Sequence, residues 1–150
     1  MKTENRDRTL LVTGAEGFLG SRVVREYEKS HKVFAPKHSE MELCDEASVK
    51  AYVDAVRPEI VIHCGAVSDT GWCQAHPEES RRVNVEGTEF LARACAEAGA
   101  KMIFCSSDQI YFGSRGMEAH REDEAVSPAG EYGRQKLEAE KLEYLKKETC

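Results

Sequence analysis

Two periodicities divide the chain. Residues 10–12, 33–35, 59–66 and 101–105 are short runs of mostly apolar or small side chains, the pattern of strands buried on both faces of a parallel sheet. Between them apolar residues recur at helical spacing: Leu19, Val23, Val24 and Tyr27, then Val49, Tyr52, Val53 and Val56, then Val83, Gly87, Phe90, Leu91, Ala94 and Ala98. The punctuation agrees. The first helix should end near Ser30, Pro36 closes the second strand, and Asp45 precedes the second helix, which Arg57-Pro58 stops; Pro77-Glu78-Glu79 opens the third and Gly99 ends it. Residues 42–45 read as a short edge strand, 68–76 as a polar loop holding Asp69, Trp72 and Cys73, 113–130 as a long surface loop, and 132–147 as a strongly charged final helix. Strands alternating with helices require right-handed crossovers. The expected fold class is therefore α/β, a doubly wound parallel sheet with helices on both faces, in one domain over residues 1–150.

The turn after the first strand carries the first chemical signal. Gly14, Gly17 and Gly20 succeed one another at three-residue intervals between an apolar strand and an amphipathic helix. Glycine permits backbone angles and close approaches that a Cβ blocks, and Gly20 lets the helix pack closely on the strand. The free N–H groups at the helix start, around Phe18 and Leu19, then face whatever lies over the turn, and a pyrophosphate suits both those amides and the helix dipole. Gly65 and Ala66, ending the third strand, leave room for a flat ligand over the sheet. The residues just beyond the second strand select the dinucleotide: an acid there bonds the ribose hydroxyls of NAD, and basic groups accept the 2′-phosphate of NADP. Here Lys37 and His38 favour NADP(H), with NAD(H) left open because Glu40 lies close by. His63 is either an acid–base group or a hydrogen-bonded histidine at a strand end, and the latter is the commoner case. Trp72 either packs on a substrate or partner or covers its loop.

Composition removes several alternatives. An apolar content of 41% is enough to fill a core, and a net charge of -6 argues against nucleic acid or an anionic membrane as the main partner. No long apolar run suggests a membrane span, and the polar opening of the chain lacks the core of a signal peptide, so a cytoplasmic location is expected. The six cysteines, Cys44, Cys64, Cys73, Cys95, Cys105 and Cys150, are scattered with no metal-site spacing, which reads as reduced thiols and no metal.

The candidate catalytic groups lie late in the chain. Ser106-Ser107-Asp108 come directly after the fourth strand, and Tyr132 and Lys136 are one turn apart at the start of the last helix. An ammonium beside a phenol lowers the phenol's pKa and makes it a usable acid–base group, while a serine hydroxyl can polarise a carbonyl.

Taken together, Thr13-Gly14-x-x-Gly17-x-x-Gly20, His63-Cys64-Gly65-Ala66, Asn84-Val85-x-Gly87-Thr88, Ser106-Ser107-Asp108-Gln109-Ile110-Tyr111 and Tyr132-x-x-x-Lys136 resemble the extended short-chain dehydrogenase/reductase family. The stretch from Arg121-Glu122-Asp123 through Pro128 to Glu140 resembles its dTDP-4-dehydrorhamnose reductase branch most. The resemblance implies a Rossmann-like NAD(P)-binding domain and reduction of the ketone of a 4-keto sugar nucleotide by hydride transfer. Tyr132 would be the proton donor, Lys136 would tune it and hold the nicotinamide ribose, and Ser107 would stand at the family's catalytic Ser/Thr. Glu42 and Leu43 match an Asp-apolar pair near the adenine, with Glu in place of Asp; Gly65 and Ala66 would line the adenosine or ribose, and Asn84 would support the cofactor site. Family members continue past the Tyr-x-x-x-Lys helix into further strands and a substrate domain. The resemblance thus implies that these 150 residues are the nucleotide-binding part of a longer architecture, with weak or no turnover alone. The helices over 77–98 and 132–147 either form a homodimer face, as in many relatives, or serve only the core with their apolar residues. The beta regulatory subunit of methionine adenosyltransferase is similar in fold and motifs, so a non-catalytic NAD(P)-binding module is the alternative; an interaction protein that binds no ligand is a third.

Overall fold

The all-apolar runs form one parallel sheet. The computed structural model describes residues 8–111 and 119–142. Its strands are β1 (Thr9–Thr13), β2 (Lys32–Phe34), β3 (Ile60–His63) and β4 (Lys101–Phe104), in the order β2-β1-β3-β4. The chain passes from β1 to β2 on one side and returns to β3 on the other. The crevice between β1 and β3 is therefore the topological switch point, where open α/β sheets bind ligands. The register sets Leu10 opposite Ile60 and Thr13 opposite His63, with Ile60 opposite Lys101 and His63 opposite Phe104.

Successive residues of each strand face opposite sides and meet different helices. Leu11 and Val61 pack with Val49 and Val53 of α2 (Glu46–Val56) and Leu91, Ala94 and Cys95 of α5 (Thr88–Ala98). Leu10, Val12 and Ile62 pack on Val23 and Val24 of α1 (Phe18–Tyr27). Each fully buried Leu or Val among these contributes roughly 1.5–3 kcal/mol. The apolar stripe of α1 is narrower than its spacing predicts: Leu19 is 50% exposed and Tyr27 40%, so only its valines join the core. β4 is an edge strand, and Ile103, in register with buried Ile62, is 45% exposed.

Capping agrees with the expected chemistry at α2. The Asp45 carboxylate accepts from the N–H groups of Ala47 and Ser48, and Arg57 closes the helix in the left-handed region at φ 49°. Residues 42–45 are not the expected edge strand. They turn, with the Glu42 carboxylate accepting from Cys44 N–H, because Asp45 must reach the helix start and Leu43 is buried between Gly65 and Gly87. The loop expected over 68–76 contains a short helix, α3 (Thr70–Ala75), capped by Asp69 on Trp72 N–H and anchored by buried Cys73. Past it, α4 (Pro77–Arg81) runs through a π-helical turn (Arg82–Gly87) into α5, which Gly99 ends at φ 70°.

The last helix, α6 (Glu131–Glu140), begins one residue ahead of Tyr132. Residues 119–130 lack regular structure, as expected for the loop; residues 113–118 of it and 143–147 of the final helix lie outside the described residues. The whole is a Rossmann-like sheet with helices on both faces. No described helix is long and apolar enough to cross a membrane.

Candidate active site

A cleft of about 510 Å³ opens over the carboxyl ends of the strands. Its first wall is the glycine turn. Gly14 sits at φ +66°, and a Cβ there would lie 2.7 Å from Gly65 N; a Cβ on Gly20 would lie 2.1 Å from the Gly14 carbonyl oxygen. Only glycine lets β1, the end of β3 and α1 meet this closely. No side chain caps α1 and no acid occupies its first turn, so its leading N–H groups face the cleft. Phe18, 78% exposed, stands at this wall with the Arg22 guanidinium 3.7 Å from its ring centre.

Leu43, Gly65 and Ala66 line the cleft as the sequence predicts. Lys37 and Glu42 do not. The basic residue on the wall after β2 is His38, beside buried Pro36, while Lys37 turns its backbone N–H to the Glu40 carboxylate at 2.8 Å and Glu42 caps its own turn. The His38 ring lies 4.0 Å from the Glu42 carboxylate. Asn84 is also off the wall, in the π-helical turn, where it holds the loop behind Ala66. Its Oδ1 accepts from Val67 N–H at 2.8 Å, and its Nδ2 donates to the Val67 carbonyl at 2.9 Å and to Gln135 Oε1 at 2.8 Å.

Beneath the first wall runs a chain of hydrogen bonds whose directions are fixed. The Thr88 hydroxyl donates to the Asn84 carbonyl at 2.9 Å, so its oxygen accepts from His63 Nε2–H, also at 2.9 Å. His63 Nδ1 then accepts from the Thr13 hydroxyl at 2.6 Å, and Thr13 Oγ1 accepts from Gly65 N–H at 3.1 Å. His63 is neutral and structural, the commoner of the two roles open to it. Burial, and secondly the charge of Lys136, hold its pKa down to about 3.

The far end of the cleft carries the acid–base candidates. Tyr132 and Lys136 of α6 line it together with Ser106; Ser107, in the loop after β4, is not on the wall, and its hydroxyl donates to the Asp108 carboxylate at 3.4 Å and accepts from Gln109 N–H at 3.2 Å. Lys136 is buried; its ammonium donates to the Cys105 carbonyl at 2.9 Å and lies 4.7 Å from the Phe104 ring centre and 5.8 Å from that of Tyr132. This corrects one expectation. The Tyr132 pKa is raised, chiefly by burial and further by Cys73 and Asp108, against the lowering pull of Ser107; Lys136 is tied to a carbonyl and does not bring the phenol down. Burial also lowers the pKa of Lys136 itself.

Gln135 was not singled out by its sequence position. It is buried behind Tyr132 and donates to the Ser80 hydroxyl at 2.8 Å and the Pro77 carbonyl at 3.2 Å while accepting from Asn84. Trp72 stacks on His76 at 4.6 Å, 40% exposed. Among the described residues no group of three or more His, Cys, Asp or Glu could hold a metal ion.

The RmlD substrate binding domain profile matches residues 8–149. Methionine adenosyltransferase 2 subunit beta of Xenopus tropicalis is 35% identical over 142 residues, which is 89% of this chain and 42% of that protein. The dTDP-4-dehydrorhamnose reductase of Mycobacterium tuberculosis is 30% identical over 139 residues, 90% of this chain and 45% of that enzyme. The chain thus spans less than half the length of these curated relatives. In structure it is similar to the dTDP-4-dehydrorhamnose reductase of Bacillus anthracis solved with NADP, at TM-score 0.87 and 24% identity over 97% of this chain and 51% of that one. It is likewise similar to the UDP-glucose 4-epimerase of Thermus thermophilus solved with NAD, at TM-score 0.81 and 25% identity over 88% and 48%.

Proposed function

Because the chain belongs to the RmlD substrate binding domain family, we propose that it is the dinucleotide-binding and acid–base part of an NAD(P)-dependent reductase of the dTDP-4-dehydrorhamnose type. The observation that carries this reading is one cleft with Tyr132 and Lys136 at one end and an uncapped helix start behind three glycines at the other. The groups present fit a dinucleotide. The N–H groups of Phe18, Leu19 and Gly20 suit a pyrophosphate, while Gly65 and Ala66 leave room for the adenosine or ribose and Leu43 offers an apolar surface to the adenine. His38 on the wall, with Lys37 adjoining it, supports a 2′-phosphate and so NADP(H) over NAD(H).

When bound, the nicotinamide supplies or takes the hydride. The chain supplies the proton. Burial keeps the Tyr132 phenol protonated at neutral pH, the form needed to protonate a carbonyl oxygen as it gains negative charge. Ser107, whose hydroxyl pulls the phenol's pKa down, favours the phenolate left behind. One N–H of Lys136 is spent on the Cys105 carbonyl, leaving two for ribose hydroxyls. The substrate class is a 4-keto sugar nucleotide.

A second reading has its own support: identity to methionine adenosyltransferase 2 subunit beta is 35%, against 30% to the reductase. On that reading the cleft binds a dinucleotide without turning it over. Calorimetric titration of the folded chain with NADPH and with NADH tests the site. Saturable binding, tighter for NADPH, is expected; tighter NADH binding reassigns the cofactor, and no binding overturns both readings. Tyr132→Phe separates them, since a reductase loses turnover of dTDP-4-dehydrorhamnose while keeping dinucleotide affinity, whereas a regulatory subunit keeps its effect on its partner.

A further inference from the structure

Two cysteines in the cleft have no part in the proposed proton transfer. Cys64 and Cys105 stand one step past the ends of β3 and β4, and their sulfurs are 3.6 Å apart. Cys105 N–H donates to the His63 carbonyl at 3.2 Å, so the sheet ladder continues up to the pair. Neighbouring strands lie about 4.8 Å apart, inside the roughly 4.4–6.8 Å Cα separation that a disulfide spans. Both residues are half-buried and both line the cleft, within reach of a small reagent. The pair is also polarised: the hydrogen bond from Cys64, helped by the charge of Lys136, holds the Cys105 thiol down to about 6, and the same bond with burial pushes Cys64 up. The other described thiols lack this setting, since Cys73 and Cys95 are buried and burial with Glu42 pushes Cys44 up.

We propose that Cys64 and Cys105 form a redox-reactive dithiol in the floor of the cleft, which a peroxide or a low-molecular-weight disulfide converts into a cross-strand disulfide. With hydrogen peroxide, the Cys105 thiolate attacks one oxygen, the O–O bond breaks, and the departing hydroxide takes up a proton to become water, leaving a sulfenic acid on Cys105. The Cys64 sulfur attacks that sulfenic sulfur, its proton leaves with the hydroxyl as a second water, and the S–S bond forms. Two thiols are oxidised and one peroxide is reduced to two waters. With a small disulfide, a mixed disulfide forms on Cys105 and is resolved by Cys64, releasing two small thiols. Closure shortens the 3.6 Å contact to about 2.05 Å. It pulls together Cys64, next to Gly65, and Cys105, whose carbonyl holds Lys136.

The test is made on the whole chain without nucleotide, so its outcome does not depend on the proposed function. After limited treatment with hydrogen peroxide or oxidised glutathione, free thiols are blocked with N-ethylmaleimide and the chain is digested without reductant. The expected result is an intact mass about 2 Da lower before blocking, for two hydrogens lost on forming the bond, with a Cys64–Cys105 linked peptide that dithiothreitol releases. Cys105→Ser, folded by circular dichroism, should abolish the linked peptide and leave Cys64 open to alkylation. Linkage through any other cysteine pair, or both thiols still alkylated once other cysteines have reacted, overturns the proposal.

Discussion

His63→Gln probes the hydrogen-bond chain that joins Gly65 to Asn84, because glutamine keeps polar atoms in the site and removes the titration. His63 is 1% exposed, and its Nδ1 is committed as an acceptor to a hydroxyl whose oxygen already accepts from Gly65 N–H. A proton on Nδ1 therefore breaks the chain, in line with a pKa held down to about 3 in the fold against about 6.5 in an unfolded chain. The folded state thus binds fewer protons than the unfolded state between these values. Stability is full above pH 6.5 and declines as pH falls toward 3, by about 1.4 kcal/mol per unit within the window. From pH 7 to pH 5 the loss attributable to His63 comes to about 2 kcal/mol. Urea unfolding of wild type and variant at pH 7, 6 and 5 reads this directly, since other groups titrate alike in both and cancel. The stability difference between them should move by about 2 kcal/mol in favour of the variant on acidification. A difference independent of pH would refute both the neutral tautomer and the direction of the chain.

Two further substitutions test the walls. Gly20→Ala places a Cβ 2.1 Å from the Gly14 carbonyl oxygen and must push α1 off the turn; it should cost about 2 kcal/mol or more in urea unfolding and weaken dinucleotide binding at least about tenfold in calorimetry. Asn84→Ala leaves the Val67 N–H and the Gln135 amide oxygen without their partner and the Val67 carbonyl with only the Cys73 thiol, and should cost about 3 kcal/mol by chemical denaturation; a loss below about 1 kcal/mol would mean that water replaces the amide.

The all-apolar runs placed the four strands because residues 10–12 and their counterparts carry no polar side to turn outward, and a parallel sheet covered on both faces is where such runs are stable. Asp45 and Gly99 were legible as helix boundaries because their chemistry is local. Tertiary demands decided the rest. Residues 42–45 have strand-like composition, but the burial of Leu43 against Gly65 and Gly87 bends them into a turn. Leu19 and Tyr27 fit a helical stripe, yet Leu19 lines the cleft and Tyr27 meets the His31 ring beyond the helix end. In the candidate site, the four-residue spacing of Tyr132 and Lys136 put both in the cleft, but it could not reveal that the Cys105 carbonyl would claim the ammonium. Nor could it show that His38, one residue on from Lys37, would be the basic group on the wall. Gln135 left no signal, since a glutamine on a charged helix looks like solvent-facing surface until Asn84 and Ser80 are brought against it.

The pairing of Thr13 with His63 has a consequence for how the sheet finds its alignment. Leu10-Leu11-Val12 and Ile60-Val61-Ile62 are apolar on both sides, so sliding one strand past the other by one or two residues leaves nearly the same area buried. Greasiness alone does not choose among these alignments. At the end of the two runs, one hydroxyl and one imidazole meet at 2.6 Å in the native alignment. Any slip strands both in a water-free interior, and the polar pair thereby works as a key that admits a single setting of two otherwise interchangeable strands.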